Sequence, residues 1–266
     1  MKRTTILAAV AAALAVPALA AEAPTTASGA TQEFRWTGKV AAGAAVEIKG
    51  VNGGIVATGA PAGEVDVTAV KKGRRSDPTE VRVDVVEHAG GVTICAVYPS
   101  SGAPNECKPG GGGRMGVRDN DVNVEFKVTV PSGVRFVGRT VNGGIAASGI
   151  TADAEAHTVN GGVELEATGT AWAESVNGGI TAHLGRTDWK GALKLKTVNG
   201  GIEMTMPEGL SADVKASTVN GDIQTDFPLT VTGRISRRKL EGTIGSGGRI
   251  LELETVNGGI ELRKAK

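Results

Sequence analysis

Aromatic side chains are scarce: the 266 residues include four Phe, three Trp and one Tyr. That shortage argues against a globular core fastened by large rings, and it removes the usual stacking platforms for sugars. Cysteine is limited to Cys95 and Cys107, and histidine to His88, His157 and His183. None of the three histidines has a Cys, Asp or Glu at metal-ligand spacing, so no metal site is expected. Helical periodicity is almost absent, and past the first 20 residues no apolar run approaches the ~20 residues that a membrane-spanning helix needs. No charge sign dominates either, with 29 basic against 28 acidic residues. Such a balance gives no general attraction to nucleic acid or to an anionic membrane.

What is present begins with a leader. Lys2 and Arg3, the apolar run Ile6 to Val16 and the Ala18-Leu19-Ala20 ending make residues 1–20 a secretory signal peptide. Its loss leaves 27 basic and 28 acidic groups. No Cys follows the cleavage site, so no lipid anchor is expected there. The exported chain then opens with a flexible linker over 21–33, low in complexity through Ala30.

Glycine, at 40 residues, is abundant, and much of it belongs to one phrase. V-N-G-G-I begins at Val51, Val141, Val176, Val198 and Val256, with V-N-G-G-V at Val159 and V-N-G-D-I at Val219. Six of these copies follow Thr or Ser. A worn copy, Leu240-Glu241-Gly242-Thr243-Ile244, fills the long gap before Val256 and restores a period of about 20 residues. Five residues before each Val stand Phe136, Ala154, Ala171, Leu193, Val214 and Leu251, and three before it stand Gly138, Ala156, Ala173, Leu195, Ala216 and Leu253. Polar residues separate the two rows, which is the alternation of a half-buried strand. Apolar residues resume after the glycines, so each unit is two short strands joined at Asn-Gly-Gly.

Two all-β architectures accommodate such units. Asn-Gly is the strongest short signal for a tight hairpin, which makes an antiparallel hairpin meander the alternative. The near-identity of the copies favours a β-solenoid, parallel β-helix-like, because coils stacked about 4.8 Å apart place like on like and let Asn amides bond as a ladder. The corner valines are expected to turn inward. Residues 34–139 form a more irregular N-terminal β lobe with the first repeat and a disulfide loop, covering one edge of the stack, and 140–266 form the solenoid. The charged tail Glu261 to Lys266 is expected to blunt the other edge.

In an exported protein Cys95 and Cys107 are expected to be joined in a disulfide. The glycine run after Cys107, Gly110 to Gly113, lacks the Lys-Ser/Thr ending of a phosphate-binding loop and reads as a mobile linker. The basic runs Lys71-Lys72-Gly73-Arg74-Arg75 and Arg234, Arg237, Arg238, Lys239 read as solvated loop faces; contact with anionic envelope polymers is their functional alternative. No G-x-S-x-G or S-x-x-K motif occurs. The recurrent acids Glu164, Glu203 and Glu261 follow the repeat, as solubilising outer-face residues should.

The leader, the opening strands that end in Val-Thr-Val-Pro-Ser-Gly, the T-V-N-G-G-I phrases, Asp226-Phe227-Pro228 and the closing Leu240 to Gly245 step together resemble the bacterial β-strand-repeat putative adhesins, a domain-of-unknown-function family. The resemblance spans residues 34 to 262 and implies an extracytoplasmic β-repeat protein serving adhesion or the cell envelope; it transfers no catalytic residue and no cofactor. The sequence therefore reads as an exported, non-catalytic module, periplasmic or on the cell surface. Its expected partner is an unknown envelope polymer or protein, with no nucleic acid and no transmembrane segment after signal removal. The rival reading is a polysaccharide-acting enzyme on a β-helix scaffold.

Overall fold

The computed structural model describes residues 31–231 and 236–265. The expected leader, linker residues 21–30 and Arg234 of the second basic run lie outside them. The first strand already begins at Thr31, inside the stretch expected as linker. The N-terminal strands are β1 (Thr31–Gly38), β2 (Ala45–Lys49), β3 (Ile55–Ala60), β4 (Val65–Lys72), β5 (Arg82–His88), β6 (Gly91–Val97) and β7 (Asn123–Pro131). They are followed by β8 (Arg135–Arg139), β9 (Ile145–Ile150), β10 (Ala154–Asn160), β11 (Val163–Ala167), β12 (Ala171–Asn177), β13 (Ile180–Leu184), β14 (Ala192–Asn199) and β15 (Ile202–Met206). The last strands are β16 (Ala212–Ser217), β17 (Ile223–Thr225), β18 (Thr230–Val231), β19 (Lys239–Ile244), β20 (Ile250–Glu254) and β21 (Ile260–Lys264). One 3₁₀ turn, Pro78–Glu80, is the sole helical element among the described residues.

These strands form two sheets. One runs β1-β4-β7-β3-β9-β11-β13-β15-β21-β17 and the other β18-β19-β16-β20-β14-β12-β10-β8-β2-β6-β5. Each coil contributes one strand to each sheet, and the coils stack in parallel and in register, Thr158 beside Ser175 and Asn160 beside Asn177. A hairpin meander would pair consecutive strands antiparallel, so the chain is a β-solenoid of two open, mostly parallel sheets. Between them lies a thin core, in which small residues of one sheet (Ala154, Ala156, Ala171, Ala173) face Val163, Leu165 and Ile180 of the other. Burying each larger aliphatic side chain contributes about 1.5 to 3 kcal/mol.

The coils do not stack in chain order. The first coil, β2 and β3, lies between the β6/β7 coil and the β8/β9 coil. The last coil, β20 and β21, lies between β14/β15 and β16/β17. The first and the last copy of the repeat are thus each held one coil in from an end of the stack. Two expectations are corrected by this order. The tail strand containing Glu261 and Arg263 is interior rather than an edge. The worn copy is not a coil, because β19 pairs antiparallel with β16, Leu240 opposite Ala216. It caps the final coil, which keeps that edge from offering a parallel template.

The Asn-Gly-Gly corner explains the invariance of the phrase. The residue before each Val is buried, and its hydroxyl donates to the first-glycine carbonyl of the adjacent coil: Thr158 to Gly143, Ser175 to Gly161 and Thr197 to Gly178, at 2.8 to 2.9 Å. Alternation then sends the next residue outward. The valines do not all turn inward as expected: Val51 is buried at 5% exposure and Val141 and Val198 are half-buried, but Val159, Val176, Val219 and Val256 are all 38% exposed or more. In the first copy Gly50 takes the Thr position, and the coil beneath it has no Asn-Gly-Gly to supply an acceptor carbonyl. The first glycine is required by closeness of approach, since a Cβ on Gly161 would stand 2.1 Å from the Gly143 carbonyl oxygen. At the second glycine, Gly162, the nearest atom would be 3.5 Å away. Only the second position admits another residue in this chain, Asp222.

Candidate binding surface

Three parallel rows run along one corner of the stack. On its crest the seven asparagines form a ladder in which Asn142, Asn160, Asn177 and Asn199 each donate a side-chain amide hydrogen to the preceding Asn, at 2.8 to 2.9 Å. Asn257 then donates to Asn199 and Asn220 to Asn257. Beside the ladder lies the valine stripe. Next come the outward positions of the second sheet, where Lys49, Arg139, His157, Glu174, Lys196 and Glu254 lie in register on successive strands. Along Arg139, His157, Glu174, Lys196 and the valines runs a groove of ≈ 490 Å³. On the far side of the ladder is a trough of ≈ 530 Å³, floored by second glycines and edged by Val56, Ala146, Glu164 and Thr181.

The charged row is internally paired. Arg139 bridges Glu47, 3.0 Å away, to Glu155. The ring nitrogens of His157 lie 2.7 Å from Glu155 and 3.2 Å from Glu174, and Trp172 donates its indole N–H to Glu174. His157, expected as a lone solvent-side residue, therefore sits between two carboxylates. Glu155 stands two positions before it on the same strand face, a spacing the sequence already carried. Hydrogen bonding to His157, with Arg139 behind it, holds the Glu155 carboxyl below its usual range against the opposing effect of partial burial. Trp172 is 42% exposed and meets the His157 ring edge-on at 5.4 Å. Lys194 and Lys196 extend the pairing to Glu252 and Glu254.

The N-terminal end of the corner is walled by the segment between β6 and β7. Cys95 and Cys107 are joined in a disulfide there, their Cα atoms 5.7 Å apart. The glycine run after Cys107 is not a mobile linker. The carbonyls of Lys108, Gly110 and Gly112 accept from the buried Lys49 ammonium at 2.7 to 2.9 Å, and Gly110 N–H donates to Glu47. Burial lowers the Lys49 pKa, Glu47 opposes that effect, and Arg139 adds to it. The loop is a carbonyl cradle for the chain's own cation, the opposite polarity to a phosphate loop.

Beyond it opens a cleft of ≈ 860 Å³, lined by Asn52, Arg75, Met115, Asp119, Asp121 and Asn142 among others. Asp119, at φ 53°, is the sole non-glycine residue with positive φ among those described. Backbone N–H groups of Ser76 and Arg75 hold the Asp121 carboxyl well below the usual range. The first basic run is likewise not a solvated tip throughout. Lys71 is buried and donates to the Val81 carbonyl at 2.7 Å. In the second run Arg237 and Arg238 are exposed, and their backbone carbonyls accept from Ile223 and Thr218 of the β16/β17 coil. His88 bonds locally to Thr93 and Gly90. Among the described residues no group of three or more His, Cys, Asp or Glu has the geometry to hold a metal ion.

Coils of this construction, with Asn-Gly-Gly corners in register, invite comparison with other repeat proteins. Residues 139–263 match the Toastrack family, DUF4097. The Toastrack segment starts at Arg139, the last residue of β8 and a member of the charged row, and runs through the later coils to Arg263 in β21. It agrees with the domain-of-unknown-function family that the sequence resembles. Among solved structures, a putative cell adhesion protein of Clostridium sporogenes shares the fold at a TM-score of 0.52 and 8% identity, covering 89% of this chain and 100% of its own. A putative adhesin of Bacteroides fragilis aligns over 88% of this chain and 97% of its own, at a TM-score of 0.37 and 12% identity. No curated protein matches this chain.

Proposed function

We propose that the chain is an exported, non-catalytic cell-envelope protein, an adhesin or scaffold module that meets an envelope polymer or another envelope protein along the three-row corner. The observation that carries this reading is the repetition of one surface unit, an amide beside a valine, on successive coils, with a charged side chain or His next to it on six of the seven. Repetition of that kind suits an elongated partner held by many weak contacts, each adding to the next through effective concentration. It does not suit a reaction centre, which needs one unlike group placed against another. The leader-like residues 1–20 and the Cys95–Cys107 bond support export to an oxidising compartment, periplasmic or at the cell surface.

The test uses tagged protein lacking residues 1–20 to capture partners from a cell-envelope extract, beside the double variant Val159→Glu/Val176→Glu. The two charges fall on solvent-facing side chains and leave the core intact. The reading expects a partner retained by the parent protein and lost by the variant. Equal capture by both would move binding off the corner. Release of new reducing ends from envelope glycans would overturn the non-catalytic assignment in favour of a polysaccharide-acting enzyme.

A further inference from the structure

The two ends of the stack are finished differently. At one end β17 is three residues long and β18 two, and Arg237 and Arg238 carbonyls occupy N–H groups of the β16/β17 coil. At the other end the sheet edges are left open among the described residues. Beyond the β6/β7 coil one sheet adds β4 and then β1, while the other adds β5 alone. β1 therefore overhangs as the outermost strand, with the Pro78–Glu80 turn beneath it. It is eight residues long, and among the described residues no strand pairs with its outer edge.

Exposed edges of this length are commonly protected by Lys, Pro, a bulge or an inward-pointing charge. β1, TQEFRWTG, has none of these, and the two charges it does carry, Glu33 and Arg35, are of opposite sign and so do not repel a second copy of the same strand. Its inward side chains, Phe34 and Trp36, pack on the core, and its outward ones include Glu33 and Arg35, which pair with each other along the strand and whose side chains are 42% and 74% exposed, leaving both free to bridge to a facing strand as well. The pairing with β4 is regular along the whole strand, from Thr31 opposite Lys72 to Gly38 opposite Val65.

We propose that β1 is a dimerisation edge, pairing antiparallel with β1 of a second copy about a two-fold axis through Phe34. The strand is self-complementary in that register. Glu33 stands opposite Arg35 of the second copy, Arg35 opposite its Glu33, and Thr31 opposite Thr37. A two-fold axis across the sheet keeps outward faces on the same side, so both opposite-charge pairs form on one surface. Any other register centred on a residue of β1 breaks both pairs. The result is one continuous sheet through two molecules, with the capped ends pointing away and two binding corners in a single particle.

Sedimentation velocity over a concentration series of protein lacking residues 1–20 tests this, with thermal melting as a check on folding. A reversible dimer is expected. Glu33→Arg or Arg35→Glu alone places like charges opposite each other twice per dimer and raises its Kd about tenfold or more. The combined reversal Glu33→Arg/Arg35→Glu restores the affinity of the parent protein. Glu33→Cys mixed with Arg35→Cys gives a disulfide-linked heterodimer on mild oxidation, and neither variant links readily to itself. A protein that stays monomeric throughout, a combined reversal no better than the single ones, or self-linking as efficient as mixed linking would each overturn the proposal.

Discussion

Asn257 donates its side-chain amide to Asn199 across 2.7 Å, although 58 residues separate them in the chain. The bond places the last copy of the repeat inside the stack, and it makes position in the ladder, not position in the sequence, the measure of what each Asn contributes. Asn199 both accepts from Asn257 and donates to Asn177. Asn52, at the end of the ladder, takes part only as acceptor from Asn142. Each such bond is worth about 0.5 to 1.5 kcal/mol net, toward the low end where water competes. Asn199→Ala should therefore lower the melting temperature about twice as much as Asn52→Ala. Equal shifts would mean that the ladder carries no stability of its own.

The two glycines of each corner should respond oppositely. Gly161→Ala drives a methyl group into the Gly143 carbonyl of the coil beside it, and relief requires the coils to part. A cost of about 3 kcal/mol or more is expected, the range for steric overpacking in a rigid setting. Gly162→Ala meets only an ordinary contact and should change stability by less than about 0.5 kcal/mol. Urea denaturation of the two variants separates them, and similar midpoints would contradict the stacking geometry.

Most of the coil was legible before the structure, because identical residues at a constant spacing can bond only if they lie on one another. The period-two rows ending at Ala156 or Leu195 gave the inward face correctly. The same parity, carried one step further, makes Thr158 inward and Val159 outward, so the signal for the exposed valines lay in the alternation itself; Val51, at 5% exposed, does turn inward. The spatial order of coils was not legible. The copies at Val198, Val219 and Val256 present the same edge chemistry, and nothing local tells the last copy which two neighbours to join. Lys49 was hidden for another reason: its three carbonyl partners lie about 60 residues away in a loop whose glycines carry no side chain to advertise the contact.

The intercalated order predicts an unusual response to truncation. In a solenoid stacked in sequence, loss of the last coil costs that coil and one interface. Here, deletion of residues 246–266 removes β20 and β21, the partners on which β16 and β17 rest. Among the described residues the β18–β19 cap pairs as a strand with β16 alone, and Ile223 of β17 adds one bond to the Arg237 carbonyl. Limited proteolysis of the truncated protein should therefore cut throughout 207–245 while the coils up to β15 stay protected. Persistent protection of 212–225 would show that those strands can re-dock on β14 and β15.

The single tyrosine offers a pH prediction that can be read without mutation. Tyr98 is 3% exposed, and its hydroxyl donates to the Val122 carbonyl at 2.8 Å, with the Asn52 carbonyl at 3.3 Å. Burial disfavours the phenolate, and the pKa is pushed up to about 12. Because this is the only tyrosine in the chain, the phenolate absorbance of the folded protein reports it alone. Its midpoint should fall near 12 rather than near the usual value of about 10. The neutral form is the one the fold prefers. Its contribution is complete below the unfolded pKa of about 10 and is lost as pH rises toward 12, a change on the order of 3 kcal/mol. Tyr98→Phe lowers stability at neutral pH by removing the hydrogen bond, and it should flatten the alkaline slope of stability against pH relative to the parent protein. An unchanged slope, or a phenolate midpoint near 10 in the folded protein, would place Tyr98 in contact with water and detach it from the start of the stack.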